Sequence, residues 1–134
     1  MLAFSTYCSA NKKHSTSPIP AIELYKSQRI AIVYSLAEVE NSRFVTLSGK
    51  YGLVDAQQEI EEYDHLLSAS EVEHHSDIVA SQIKEKNISE IIFFMNSIKN
   101  DHKLKPYLEC IMKACDKTGI NIEIKEKSFI DWFK

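Results

Sequence analysis

Apolar positions follow two rhythms along the chain, short unbroken runs and longer stretches at helical spacing. Leu2 to Cys8 is the first run and predicts a short buried strand. Ser9 to Pro20 is polar, holds Pro18 and Pro20, and predicts a loop. Pro20 is placed to open a helix at its first turn, where its missing N–H has no partner to lose. Ala21, Leu24, Tyr25, Ile32, Val33, Leu36 and Ala37 then recur at helical spacing, and Asn41 and Ser42 close that helix.

Arg43 to Ser48 predicts a second strand, broken sharply by Gly49-Lys50-Tyr51-Gly52. Leu53 to Leu67 has acidic content and weak periodicity, so a long structured loop is expected there. Ser70 can cap a second helix, with Glu71 and Glu73 in its first turn and Val72, His75, Val79 and Ile83 on one stripe as far as about Asn87. Ile88 to Met95 is a continuous apolar run, the pattern of a strand covered on both faces. Asp101 to Thr118 carries Leu104, Leu108, Ile111, Met112 and Cys115 on one helical face, and Gly119 suits its C-terminal cap. Ile120 to Ile124 alternates as a fourth strand, and the aromatic tail SFIDWFK is expected to pack back on the body.

The order β-α-β-α-β-α-β predicts a single three-layer α/β domain over residues 1–134: a mostly parallel sheet of about four strands with helices on both faces. Leu2–Cys8, Arg43–Ser48 and Ile88–Met95 lack a polar face and should be the inner strands.

Composition narrows the function. At 134 residues, 44% hydrophobic and 26% charged, the chain is an ordinary globular one. Its formal net charge of -3 gives no overall pull toward nucleic acid or anionic lipid, although Lys12, Lys13, Lys26, Arg29 and Lys50 leave room for a local basic patch. No run approaches the roughly 20 apolar residues of a membrane span, and MLAFSTYCSA lacks the basic start of a signal peptide. The 3 cysteines, with no CxxC and no Cys-His spacing, suit a reducing cytosol rather than a zinc site, so a cytoplasmic protein is expected. His74 and His75 point about 100° apart on a helix, and no metal or cofactor is assigned. The 3 glycines rule out the dinucleotide fingerprint and the P-loop.

In open parallel sheets, ligands sit beyond the carboxyl ends of the strands. That rule selects Cys8–Lys13, Ser48–Gly52 and Asn96–Lys99, of which the first two are the more polar and the second is marked by glycines. In Cys8-Ser9-x-x-Lys12-Lys13, lysines follow a thiol and a hydroxyl, a set suited to holding phosphate and lowering the pKa of a nucleophile. The bland alternative is a buried structural cysteine beside solvated lysines. Ser48-Gly49-Lys50-Tyr51-Gly52 can aim backbone N–H groups and Lys50 at an anion, or can be a plain turn. Tyr63-Asp64 offers an acid beside a phenol, for proton transfer or merely for fixing the loop. Tyr25 and Ser27 fall early on the first helix, near the same sheet edge, where Tyr25 also suits the core.

Together, Cys8-Ser9-x-x-Lys12-Lys13, Pro20-Ala21-x-x-Leu24-Tyr25-x-Ser27, Leu47-Ser48-x-Lys50-Tyr51-Gly52-Leu53-Val54 and Ile60-x-x-Tyr63-Asp64-x-x-Leu67 resemble an uncharacterised domain family of phages and bacteria. The first two motifs are also similar in style to the lysine-adding domain of archaeosine synthases, which work on a 7-deazaguanine base in RNA, and more loosely to bacterial peroxide-stress proteins. Two departures stand out. Gly49 replaces the usual alanine, and Met95-Asn96-Ser97 stands where a small glycine-containing turn is usual.

The resemblance implies a protein that handles a nucleotide or nucleobase. One form is an enzyme acting on a modified base or N-glycosidic bond, with Cys8 and Asp64 catalytic. Ser9, Lys12, Tyr25, Ser27, Ser48, Lys50, Tyr51 and Gly52 would bind the substrate. The alternative is a non-catalytic module that senses or sequesters a nucleotide signal. A third reading is a protein-interaction domain using Phe129, Trp132 and Phe133. A nucleic-acid partner and self-association stay open, and no membrane partner is expected. The three segments around Cys8, Tyr25 and Ser48 should meet at one cavity.

Overall fold

A computed structural model describes residues 1–99 and 101–126. Five strands form one sheet in the order β4-β3-β1-β6-β7. They are β1 (Leu2–Tyr7), β3 (Arg43–Ser48), β4 (Gly52–Asp55), β6 (Glu90–Met95) and β7 (Asn121–Glu126). β1, β3, β6 and β7 run parallel, and β4 pairs antiparallel with β3 at one edge. A two-residue pair, β2 (Ile19–Pro20) with β5 (Glu59–Ile60), stands apart. The expected inner strands are the inner strands, and the sheet is mostly parallel.

The helices are α1 (Ala21–Leu24), α2 (Gln28–Val39), α3 (Val72–Glu85) and α4 (Lys105–Thr118). The connection through α2 leads from β1 to β3, whereas those through α3 and α4 lead the opposite way. With right-handed crossovers, α2 then covers one face of the sheet and α3 and α4 the other. Ring contacts agree: Phe44 of β3 meets Tyr34 of α2, while Tyr7, on the opposite face, meets Tyr107 of α4. Phe93, Leu47, Ile91 and Met95 from the strands are fully buried with Ile30, Ile83 and Ile111 from the helices.

Two local expectations change. The first predicted helix is two pieces, because Lys13 N–H donates to Leu24 O and Lys26 N–H to Asn11 O, pulling residues 24–26 into extended pairing with the preceding loop. Ser27 then caps α2 afresh, its Oγ accepting from Ile30 N–H at 3.2 Å. Tyr25 and Ser27 therefore sit in the break rather than on a helix. The second change is β4, which takes Gly52 from the expected break and Leu53–Asp55 from the expected loop. Gly49-Lys50-Tyr51 is a three-residue hairpin loop closed by Gly52 at φ 76°, a left-handed geometry that glycine adopts without strain.

The tail with Phe129, Trp132 and Phe133 lies outside the described residues. Among the described residues, no helix is long and apolar enough to cross a membrane, and no His/Cys/Asp/Glu group could hold a metal ion.

Candidate functional site

The chain leaves β1 in one direction, toward β3, and β6 in the other, toward β7. Their carboxyl ends therefore diverge, and a crevice opens between them. A cleft of about 580 Å³ occupies this place. It is lined by Tyr7 at the end of β1 and Cys8–Lys12 after it, Lys26–Arg29 at the start of α2, Asp64–Leu66, Asn96 after β6, Asp101, Lys103 and Leu104 before α4, and Tyr107 within it. Lys12, Lys26, Arg29 and Lys103 outnumber Asp64 and Asp101, which makes this a cationic pocket in a chain of net charge -3.

Of the candidate residues, Cys8, Ser9 and Lys12 from the first strand end line the cleft, together with Ser27 and Asp64. Cys8 is buried, its thiol donating to Tyr107 Oη at 3.7 Å. The same oxygen accepts Leu67 N–H at 3.1 Å, so the 64–67 segment closes over one side. Ser9 Oγ donates to Asn11 O at 2.7 Å and shapes the loop from β1 to Lys12. The Lys12 ammonium lies 4.4 Å from the centre of the Tyr63 ring.

Tyr25 lies beneath the cleft rather than in it. Its hydroxyl meets that of Tyr63 at 2.6 Å, and Ser48 Oγ donates to Tyr63 Oη at 2.8 Å. Burial pushes the phenols of Tyr25, Tyr63 and Tyr107 upward, and the nearby Cys8 acts in the same direction. These hydroxyls therefore keep their protons at neutral pH and serve as a buried polar brace.

The Ser48–Gly52 turn does not line the cleft. Its Lys50 and Tyr51 N–H groups both donate to Ser48 Oγ, at 3.1 and 3.0 Å, so they are turned inward and not toward an anion. Lys50 is exposed and lies over the Tyr51 ring at 5.1 Å. Gly52 packs against Gln82 of α3, which accepts from Leu53 N–H and donates to Tyr51 O. His75 on α3 donates its Nε2–H to Ser48 O at 2.8 Å. Two of the three segments meet at the cleft, and the third braces the loop beside it.

Arg29, which the sequence offers only as part of a possible basic patch, also lines the cleft. It is only 7% exposed. Its Nη1 donates to Thr6 Oγ1 at 2.5 Å and Tyr7 O at 2.7 Å, Nη2 reaches Cys8 O at 3.4 Å, and the guanidinium stacks 3.5 Å from the centre of the Tyr7 ring. Burial lowers its pKa to about 10, with Tyr7 and Cys8 opposing, so it stays charged at neutral pH. No local signal marked it, because Ser27 reads as part of a continuous helix and its capping of α2, two residues before Arg29, appears only once that helix breaks.

Neither curated proteins nor solved structures provide a match. A family model does match, over residues 6–127, and that range includes every residue that lines the cleft. The chain belongs to the family of unknown function DUF6884.

Proposed function

We propose that this protein binds a nucleotide or nucleobase in the cleft between the ends of β1 and β6. The single observation that carries the reading is the position and lining of that cleft, a cationic crevice at the point where the strand order reverses. At about 580 Å³ it falls in the size range of small-molecule sites. Tyr107, Leu66 and Leu104 supply an apolar side for a base, and Lys12, Lys26 and Lys103 supply charge for phosphate. The likeness of the Cys8-Ser9 start to base-modifying synthases favours the same ligand class.

The test is native mass spectrometry of protein purified from cells, followed by calorimetric titration with nucleoside monophosphates. A bound nucleotide, with affinity reduced about tenfold (~1.4 kcal/mol) in Lys12→Ala, is the expected result. Absence of binding across the panel at millimolar concentration contradicts it.

An enzymatic reading is favoured by one further observation, that Cys8 and Asp64 line the same cleft. The reaction would be hydrolysis of the N-glycosidic bond, with water added to the sugar carbon and the base released with a proton. Chromatography of nucleotides incubated with the protein reads it directly. Release of free base supports catalysis, and an unchanged nucleotide that nevertheless binds leaves a binding module.

A further inference from the structure

We propose that Arg29 is the fixed anchor for a phosphate group of the ligand. The inference rests on the ligand-binding reading of the cleft and adds where the ligand's negative charge must sit.

A buried charge is ordinarily paired with an opposite one, because leaving water without a counter-charge is strongly unfavourable. Arg29 breaks that pattern. Among the described residues no carboxylate lies within ion-pair distance of it. Its acceptors are a hydroxyl and two carbonyls, all neutral. Asp64 and Asp101 line the same cleft, but both are exposed, and Asp101 accepts from Lys103 N–H. Bracing the end of β1 needs hydrogen-bond donors only, which a neutral amide supplies without burying a charge. The guanidinium is therefore over-provided for a purely structural role.

A guanidinium carries five N–H donors, and three contacts are made within the chain. The longest of these, to Cys8 O at 3.4 Å, yields most easily to a better acceptor. The Tyr7 ring holds the plane of the fork from one side, so it is oriented before any ligand arrives. The Gln28 and Arg29 amides open α2, where no intrahelical acceptor exists, and both residues line the cleft. A phosphate here meets a planar fork matched to two of its oxygens, with Lys12, Lys26 and Lys103 elsewhere in the lining.

The test uses inorganic phosphate as the probe, with sodium chloride at matched ionic strength and acetate as controls. Wild-type protein should melt at a higher temperature in millimolar phosphate than in either control. Arg29→Gln retains an amide donor and should lose at least tenfold in phosphate affinity, and Arg29→Lys should lose a smaller factor. Equal phosphate affinity in wild type and Arg29→Gln overturns the proposal, as does an equal effect of acetate. If the variants do not fold, the Arg29 Nε–H resonance of the wild type decides. A shift on adding phosphate supports the anchor, and no shift overturns it. Phosphate binding with no gain from an attached nucleoside upholds Arg29 and sinks the nucleotide reading. Nucleoside binding without phosphate binding does the reverse.

Discussion

At the scale of single residues, the three cysteines divide by position. Cys110 and Cys115 are fully buried on α4, and burial pushes both thiols up to about 12. Cys8 lines the cleft. Iodoacetamide at pH 8 should modify Cys8 first, with the other two reacting only after unfolding, and a bound ligand should protect Cys8. Peptide mass mapping reads the order, and modification of Cys110 or Cys115 ahead of Cys8 contradicts the packing. Tyr63 makes a second residue-level case. Tyr63→Phe strips an acceptor from the buried Ser48 hydroxyl and a partner from Tyr25, so urea denaturation should show a loss of about 1–3 kcal/mol. Lys50, by contrast, is exposed and away from the cleft. Lys50→Ala should change stability by no more than about 0.5 kcal/mol. It should also leave nucleotide affinity within twofold of wild type by calorimetry, and a tenfold loss would place the ligand at the hairpin instead.

At the scale of elements, the β3–β4 hairpin is held by an ionic clamp. Asp55 of β4 accepts from Arg43 of β3 at 2.9 and 3.1 Å and from Lys86 after α3 at 2.7 Å. Burial alone would raise the Asp55 carboxyl, but the Arg43 and Lys86 bonds outweigh it and hold the group below its ordinary value of 3.8. A folded value below the unfolded one means the clamp contributes in full above pH 3.8 and fades as pH falls through the lower folded value. Its size is about 1 kcal/mol or less, since the carboxylate is 33% exposed. Asp55→Asn should therefore be less stable than wild type at pH 7, with the gap closing below pH 4 in urea titrations. A gap that stays constant down to pH 2 contradicts the clamp.

The same hairpin explains what the sequence hid. β1, β3 and β6 were legible because both of their faces are covered, which leaves unbroken apolar runs. β4 was not, since Gly52-Leu53-Val54-Asp55 is too short to show a period and its turn is neither Asn-Gly nor Asp-Gly. The split of the first helix was hidden for a different reason. Leu24 and Tyr25 keep helical spacing with Ala21 while their backbone pairs with residues 11–13, a tertiary contact that no local pattern encodes.

At the scale of the whole molecule, strand order decides where chemistry can occur. The sequence marks three strand ends as equivalent by rule, and glycine content drew attention to the second. The fold breaks the tie, because the connections diverge between β1 and β6 and not at β3, whose following segment folds straight back as β4. The cleft accordingly gathers Cys8, Ser9, Lys12, Ser27 and Asp64, residues legible as candidates. It adds Arg29, Lys26, Lys103 and Tyr107, whose arrival depends on how α2 and α4 dock.

Backbone amide NMR during titration with a nucleoside monophosphate tests this central assignment most directly. The cleft account predicts shifts clustered at Cys8–Lys12, Lys26–Arg29, Asp64–Leu66 and Lys103–Leu104, with Ser48–Gly52 changing little. Shifts confined to the hairpin, or none at millimolar nucleotide, contradict it.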